Sequence, residues 1–304
     1  MNDHIAKKSI FTSLLFFLVI CLSFQLCYSQ SPKIGKRIDL GKLELQALKE
    51  TSGIAASRKN KNVFWLHNDS GDRNVIYAVN SQAKHLGTYQ IVGAKPGDWE
   101  DIAVGPGPNE SQNYIYVGDI GDNDAKHKMQ YVYRVLEPKV SETQKPARIK
   151  LYGAKRISFI YPDGPRDAET LMVDPETKDI FIVSKREAKV HVYRAPFPQL
   201  TTQPITLQKV AALPVSWVVA GDISPSGREI LIKTYDAIYY WVRPPQKPLW
   251  QAFQQEPVML PYFLEPQGEA IAWRSDGMGY LTVSEVFKRI PAHLYFYPRL
   301  SPAN

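Results

Sequence analysis

The chain has 304 residues, of which 44% are hydrophobic and 22% charged, and its formal net charge is +7. This composition excludes a disordered or collagen-like chain and provides enough apolar residues for a sizeable core. The Lys and Arg residues are scattered rather than grouped in blocks, so the sequence does not indicate a nucleic-acid partner.

The first 29 residues have the pattern of an export signal. Two lysines precede an apolar run from residue 10 to residue 24, and small residues follow at the spacing of a cleavage site. We predict a signal peptide over residues 1–29, export to the periplasm or the cell exterior, and no stable membrane span after cleavage. An uncleaved membrane anchor is the alternative, but the apolar run is short for a spanning helix. Both cysteines lie within this segment, so the mature chain has no disulfide.

A unit of strands and turns recurs five times in residues 30–304, which we predict to form a single domain. Each unit has an aliphatic anchor in its first strand, and the anchors recur at intervals of roughly 50 residues with one longer interval. The anchors are Ile54, Ile102, Leu171, Ile223 and Ile271. A turn rich in Gly, Pro, Asn and Asp follows each anchor, and a β-rich second strand and an aromatic third strand come next. We expect these aromatic residues to pack between neighbouring units.

The strand count predicts an all-β fold, a β-propeller with five blades. A fourth strand can be assigned in the first four units, whereas the chain ends soon after the third strand of the fifth unit. The segment 36–45 is a spare strand, and we predict that it completes the last blade and closes the ring. Six blades are one alternative, because residues 145–161 could form an irregular hairpin. A β-sandwich is another, which the regular period disfavours.

Acidic residues recur where the first strands begin. They are Glu50, Glu100, Glu169, Asp222 and Glu269, with Glu50 two positions ahead of the register, where Ser52 stands. In an antiparallel meander, the start of the first strand and the end of the second lie at the same edge of the sheet. The loops that follow the second strands contribute His67–Asp72, Gly118–Asn123, Ser184–Glu187, Tyr235–Asp236 and Ser284–Glu285. We therefore expect these groups to surround one mouth of the central channel.

Carboxylates that share a small cavity raise one another's pKa or require a cation. Oxygen ligands of this kind suit Ca²⁺ better than Mg²⁺ or Mn²⁺. The residues predicted to bind the metal are Asp69, Glu100, Asp119, Asp122 and Asn123. Those predicted to contact a small polar or anionic ligand are Glu50, Asn68, Asp72, Glu169, Glu269 and Glu285. His67 and Glu100 are the candidates for a general base in catalysis.

Each of these assignments has a structural alternative. The acidic loops could be turns stabilised by the side chains of Asp and Asn. A recurring Glu at the start of a strand could accept backbone N–H groups of the next blade, and His67 could be a hydrogen-bonded residue at a blade edge. The sequence contains no G-x-S-x-G, H-E-x-x-H, P-loop or G-x-G-x-x-G motif.

Four segments resemble exported propellers of the SdiA-regulated type and, more loosely, calcium-dependent phytase-like propellers. They are Glu50–Ala55, His67–Asp72, Asp98–Ala103 and Gly118–Asn123. The likeness extends over residues 36–299 and is most specific in the first two units. It implies a propeller with a calcium site on its acidic face, but no settled activity. The fourth unit departs from the pattern, because Gly221 and Asp222 stand where a Glu is expected.

The sequence therefore predicts an exported propeller that binds a divalent cation, with calcium as the first candidate, and a small polar or anionic ligand at its acidic mouth. One alternative is a metal-dependent hydrolase of phosphoesters or lactones, in which His67 or a Glu acts as the base. The other is a non-catalytic platform for a protein or an envelope polymer. A monomer is favoured. The sequence does not decide whether the protein is an enzyme.

Overall fold

A computed structural model describes residues 31–300, and residues 32–300 belong to one compact unit. The predicted signal peptide, residues 1–29, lies outside the described residues. Within the described residues, regular structure consists of β-strands and one 3-10 helix, Leu249–Gln254. No helix in this part of the chain is long and apolar enough to cross a membrane.

The strands follow the sequence prediction closely in position and number. The first eight are β1 (Ile38–Lys42), β2 (Thr51–Ala56), β3 (Val63–Asn68), β4 (Val75–Asn80), β5 (His85–Ile91), β6 (Trp99–Pro106), β7 (Asn113–Asp119) and β8 (Gln130–Leu136). The next seven are β9 (Ala147–Leu151), β10 (Lys155–Ile160), β11 (Ala168–Val173), β12 (Ile180–Ser184), β13 (Val190–Ala195), β14 (Ile205–Thr206) and β15 (Gln208–Leu213). The last seven are β16 (Val218–Ile223), β17 (Glu229–Thr234), β18 (Ile238–Val242), β19 (Val258–Leu260), β20 (Gly268–Trp273), β21 (Gly279–Ser284) and β22 (His293–Pro298).

Five sheets stand in a ring around a common axis, which confirms the five-bladed propeller. From the axis outward, the blades are β2-β3-β4-β5, β6-β7-β8-β10, β11-β12-β13-β15, β16-β17-β18-β19 and β20-β21-β22-β1. The first strand of each blade contacts the first strands of both neighbouring blades, so these five strands line the central channel. Strand β1 pairs antiparallel with β22, and Ile38 lies opposite Phe296. The N-terminal strand therefore completes the fifth blade, as predicted.

The longer interval between the second and third units adds strands to existing blades. Strand β9 pairs parallel with β5 and forms the outer edge of blade one. Strand β10 is the fourth strand of blade two, and the short β14 pairs parallel with it. The alternatives of a sixth blade and of a β-sandwich are therefore wrong.

Aromatic residues fill the interfaces between blades. Trp65 and Tyr89 of blade one share a buried cluster with Trp99 of blade two. Trp273 of blade five lies in the corresponding cluster between blades four and five, and both Trp65 and Trp273 are fully buried. Large rings of this kind contribute much of the burial energy of a core. They hold the blades in fixed positions, and this fixes the loops around the channel.

Every first strand begins with a β-bulge, where two residues lie opposite one residue of the second strand. The bulged residues are Ser52, Glu100, Glu169, Val219 and Glu269. A bulge bends the strand and changes the direction of its side chain. The same distortion therefore recurs at one end of the channel in all five blades, and it carries a Glu in three of them.

The prediction that Asp222 marks the start of the first strand in blade four is wrong, because Val219 occupies that position. Asp222 lies farther along β16, where it accepts hydrogen bonds from the N–H groups of Ile223 and Trp273, both at 2.8 Å. Asp101 does the same between blades two and three, with Leu171 as the donor at 2.8 Å. Accepting backbone N–H groups of the next blade is thus the role of these aspartates. It is not the role of the recurring glutamates.

Candidate cation site at the acidic mouth

Three side-chain positions in each blade surround one mouth of the channel. The outer position lies two residues before the bulge, the middle position is the bulge itself, and the inner position directly follows the second strand. The three positions are equivalent from blade to blade, as backbone hydrogen bonds show: the N–H of the inner residue donates to the C=O of the outer residue. This bond joins Asp69 to Glu50 (2.8 Å), Lys185 to Asp167 (3.1 Å) and Glu285 to Gln267 (2.9 Å).

These positions are acidic in four blades and mostly apolar or aromatic in blade four. The outer positions hold Glu50, Asp98, Asp167, Trp217 and Gln267. The middle positions hold Ser52, Glu100, Glu169, Val219 and Glu269, and the inner positions hold Asp69, Ile120, Lys185, Tyr235 and Glu285. Glu50 is therefore equivalent to Asp98 and Asp167, which explains why it stands two positions ahead of the other glutamates.

Two groups of carboxylates bring their oxygens together closely enough to hold one metal ion. In the first group, ligand atoms of Asp69, Asp98 and Glu100 all lie within 4.8 Å of one another. In the second, the same holds for Glu100, Asp167 and Glu169. Glu100 belongs to both groups, so it lies at the centre of the cluster.

The Glu100 carboxylate is buried without a hydrogen-bond donor from any residue in the range 31–300. Glu100 is 3% exposed, and the Ser52 hydroxyl donates to its backbone C=O at 2.6 Å and not to its carboxylate. Gly121 lies directly against the carboxylates of Glu100 and Asp98, and a Cβ at this position would overlap both. The glycine therefore allows the two acids to approach each other.

Two basic side chains from the loop after β12 enter the cluster. The Lys185 ammonium contacts the Glu169 carboxylate, and both side chains are almost fully buried. The same ammonium lies 5.5 Å from the centroid of the Tyr235 ring. Arg186 Nε donates to Asp167 Oδ2 at 2.5 Å, and its Nη2 donates to the Asn123 amide oxygen. These two cations neutralise part of the negative charge.

The remaining charge is visible in the pKa values of the acids. Burial, followed by Glu169 and Asp69, raises the pKa of Glu100 well above its usual range, and Lys185 opposes this shift. Burial raises the pKa of Asp69 to about 6, with Asp98 and Glu269 adding to it. Burial raises the pKa of Glu169 to about 8 despite its contact with Lys185. The cluster therefore carries more negative charge than Lys185 and Arg186 neutralise.

Glu269 and Glu285 extend the acidic surface on the side of blade five. Glu269 Oε1 accepts a hydrogen bond from the Tyr235 hydroxyl at 2.6 Å. Burial and the neighbouring Glu269 raise the pKa of Glu285 to about 8, and Glu50 adds a smaller effect. Glu50 itself is exposed to solvent. The structure thus brings together Glu50, Glu269 and Glu285 as predicted neighbours at the mouth.

Several predicted site residues have polar atoms that are already committed to the loops. The Asn68 amide donates to Ala47 O (2.7 Å) and to Asp72 Oδ2 (2.9 Å). Asp72 Oδ2 also accepts from the Tyr77 hydroxyl at 2.8 Å. These contacts join the loop after β3 to the segment before β2. Asn68 and Asp72 thereby position Asp69.

The carboxylates of Asp119 and Asp122 likewise accept hydrogen bonds that hold the backbone around the loop after β7. Asp119 Oδ1 accepts from the N–H groups of Gly97 (3.0 Å) and Asp98 (2.7 Å). The Asp122 carboxylate accepts from the N–H groups of Lys126 (3.0 Å) and His127 (2.7 Å). These are turn-stabilising hydrogen bonds of the kind Asp side chains form. Both residues therefore hold the backbone that carries Asp98 and Gly121.

His67 lies inside the blade core rather than among the carboxylates. It is fully buried, packs against Gly53 and lies 6.2 Å from the Trp99 ring centroid. Its Nδ1 lies 2.7 Å from Asn68 O, so Nδ1 carries the proton and donates, and Nε2 has no partner among residues 31–300. Burial lowers the pKa of His67 to about 4. The imidazole is therefore neutral near pH 7.

Four residues of the site were not among the predicted metal-binding or ligand-binding residues: Asp98, Asp167, Lys185 and Arg186. The sequence placed Lys185 and Arg186 only in a loop at this mouth. A signal for the two aspartates exists, because the pattern Asp-x-Glu occurs at residues 98–100 and again at 167–169. No comparable signal exists for the two basic residues. Their contacts with Glu169 and Asp167 depend on how the loop after β12 folds back towards the channel.

The fold and the site define a five-bladed propeller with a partly neutralised acidic cluster at one mouth. Comparison with known proteins finds no matching family model and no matching curated protein. The resemblance to propellers of the SdiA-regulated type stays a prediction.

Proposed function

We propose that the acidic mouth binds a divalent cation, with Ca²⁺ as the first candidate, and that the cation in turn holds a small polar or anionic ligand. The Glu100 carboxylate carries this proposal, because it is buried, lacks a donor within residues 31–300 and belongs to both groups of converging oxygens. A buried carboxylate of this kind either keeps its proton or needs a cation.

The proposed ligand set consists of Asp69, Asp98, Glu100, Asp167 and Glu169. Ca²⁺ takes six to eight oxygen ligands in flexible geometry, which suits carboxylates that come from three blades. This set keeps Asp69 and Glu100 from the sequence prediction and adds the outer aspartates. The predicted ligands Asp119 and Asp122 are left out because neither belongs to the two groups of converging oxygens, and the amide oxygen of Asn123 accepts from Arg186 instead.

The bound ligand would lie between the acidic blades and blade four. An anion approaching this mouth meets several carboxylates, so it requires the cation as a bridge. On the side of blade four, Trp217 is 49% exposed, and Arg186 lies 5.2 Å from its ring centroid. A polar or anionic group would face the cation, and the rest of the ligand would contact the indole ring. Export would place such a site where weak calcium affinity is sufficient.

Glu100→Gln tests the cation site with almost no change in side-chain shape. Removing a charge from an under-neutralised cluster should raise the melting temperature of EDTA-treated protein, and it should abolish the further rise that Ca²⁺ produces. Glu256→Gln is the matched control, since Glu256 is exposed and far from the cluster in sequence; it should leave the Ca²⁺ effect intact. Calorimetric titration that detects no Ca²⁺ binding to the EDTA-treated wild-type protein would contradict the proposal.

A second candidate function is metal-dependent hydrolysis of a phosphoester or lactone. The observation that favours it is Glu285, whose pKa of about 8 suits a group that takes up a proton near neutral pH. A cation at the site would supply a Lewis acid for the attacking water. Assays with nitrophenyl phosphate and with a simple lactone, in the presence of Ca²⁺, should then show turnover that Glu285→Gln removes. The non-catalytic platform stays a prediction.

A further inference from the structure

A second concave site lies on the outer half of blade one, away from the channel. It is a groove of about 320 Å³ whose lining includes Arg73, Arg148 and Lys150. Strand β9 builds one wall of it. Because β9 pairs with β5 in register, Arg148 lies beside Thr88 and Lys150 lies beside Gln90. Neighbouring residues of paired strands project on the same side of a sheet, so two cations and two polar side chains face the groove together.

The third cation, Arg73, comes from the loop before β4. None of these three cations forms an ion pair with a carboxylate among residues 31–300. Basic residues elsewhere in the outer strands do pair, as Arg194 does with Asp179 at 2.6 Å. Unpaired cations around a concave surface produce a positive potential that a flat surface would not.

One carboxylate, Asp72, lies near the end of the groove, but its oxygens are occupied. Oδ2 accepts from Asn68 and from the hydroxyl of Tyr77, and Oδ1 accepts from the N–H of Arg73. The Asp72 charge is therefore shared among three donors. The guanidinium of Arg73 has no such partner within the described residues.

We propose that this groove binds an oxyanion of the phosphate or sulfate class, either free or as the headgroup of an anionic lipid. Arg148 and Arg73 offer planar guanidinium groups that match two oxygens of such an anion, and Lys150 adds a point charge. Thr88 and Gln90 offer neutral donors to the remaining oxygens. The groove is positively charged, whereas the mouth of the channel is acidic. The groove therefore needs no bridging cation to hold an anion.

The test uses the mature protein in EDTA, so that any cation at the mouth does not contribute. Inorganic phosphate is titrated into the wild-type protein, into Arg148→Gln/Lys150→Gln, and into Lys61→Gln/Lys139→Gln. The last variant removes the same charge from two exposed lysines outside the groove. We expect saturable binding to the wild type, at least tenfold weaker binding to the groove variant, and unchanged binding to the control. Raising the salt concentration should weaken the wild-type binding.

Sedimentation with phosphatidylglycerol–phosphatidylcholine vesicles, compared with pure phosphatidylcholine vesicles, distinguishes the two sources of the anion. A lipid headgroup is the ligand if the wild-type protein binds the anionic vesicles, the groove variant does not, and inorganic phosphate does not saturate the wild-type protein. Saturation by phosphate without vesicle binding assigns it to a free anion. The proposal is overturned if the two double variants lose binding equally, or if the wild-type protein saturates with neither probe. Circular dichroism of each variant confirms that the propeller is folded.

Discussion

Replacing Lys185 by Met should increase the affinity of the mouth for Ca²⁺ while destabilising the protein without it. The Lys185 ammonium contacts Glu169 within the carboxylate cluster, and it opposes the raised pKa values of Asp69, Asp98 and Glu100. It therefore acts as the resident counter-ion. A divalent cation bound among the same oxygens would be repelled by it and would compete with it for Glu169.

The size of the effect follows from Coulomb's law. Two unit charges about 4 Å apart interact by about 4 kcal/mol at an effective dielectric constant of about 20, and by about 1 kcal/mol in water. A cluster that opens to solvent lies between these limits, so removing the ammonium should tighten Ca²⁺ binding by about 1.4–2.8 kcal/mol, or about 10- to 100-fold. Breaking a buried ion pair leaves an unpaired charge and costs about 3 kcal/mol, which lowers the melting temperature of the metal-free protein by about 6 °C or more.

Calorimetric titration of EDTA-treated Lys185→Met with Ca²⁺ measures the first effect, and thermal melting with and without Ca²⁺ measures the second. Lys189→Met is the control, because Lys189 is exposed in the same loop and forms no ion pair within residues 31–300. Saturating Ca²⁺ should return the melting temperature of Lys185→Met close to that of the wild type. If Lys185→Met binds Ca²⁺ no more tightly than Lys189→Met, the ammonium does not compete with a cation and the reasoning is refuted.

Three further predictions concern pH and the shape of the mouth. Glu169 and Glu285 have pKa values of about 8 in the folded protein, so they bind more protons when folded than when unfolded. Stability without metal should therefore fall as the pH rises from 4.5 to 8, and denaturant melts at several pH values should show that Ca²⁺ removes this loss. His67 affects stability in the opposite direction, because its pKa of about 4 in the folded protein lies below its value in the unfolded chain. Its contribution to stability is therefore lost as the pH falls from 6.5 to 4. His67→Gln should make stability less dependent on pH in this range. Gly121→Ala should remove the Ca²⁺-dependent rise in melting temperature, since its Cβ would overlap Asp98 and Glu100. Gly93→Ala is the control, because Gly93 has open space around it but a left-handed backbone. This variant should lower stability and keep the Ca²⁺-dependent rise. A Ca²⁺ effect that survives in Gly121→Ala would show that these two acids do not hold the cation.

The architecture could be predicted from the sequence because its signals are local and repeated. Each blade carries its own aliphatic anchor, turn residues and aromatic third strand, and five copies reinforce one another. The missing fourth strand of the last unit and the spare strand β1 were sufficient to predict how the ring closes. The strands in the longer interval were harder to predict, because β9 joins blade one by parallel pairing with β5 across the 55 residues that separate the two strands. Nothing local in the sequence specifies such a partner.

The register of blade four could not be predicted because two similar patterns lie two residues apart. Gly221, Asp222, Ile223 and Ser224 imitate the run that begins at Glu100, yet the β-bulge falls at Val219. A bulge adds one residue to a strand without any single residue type being required for it. The acidic character of the mouth was predicted correctly in four blades, whereas the aromatic and apolar character of blade four was not.

Glu100 and Asp101 show why composition alone cannot separate a structural acid from a functional one. They are adjacent, both are buried, and both stand in the first strand of blade two. Asp101 faces blade three, and its carboxylate accepts the backbone N–H groups of Ile102 and Leu171. Burial still raises the pKa of Asp101, and these two hydrogen bonds oppose that shift. Glu100, at the bulge, faces four other carboxylates, and its own carboxylate receives no hydrogen bond from the described residues. The difference lies in what each carboxylate contacts, and it makes Glu100 the residue whose charge a bound cation would have to balance.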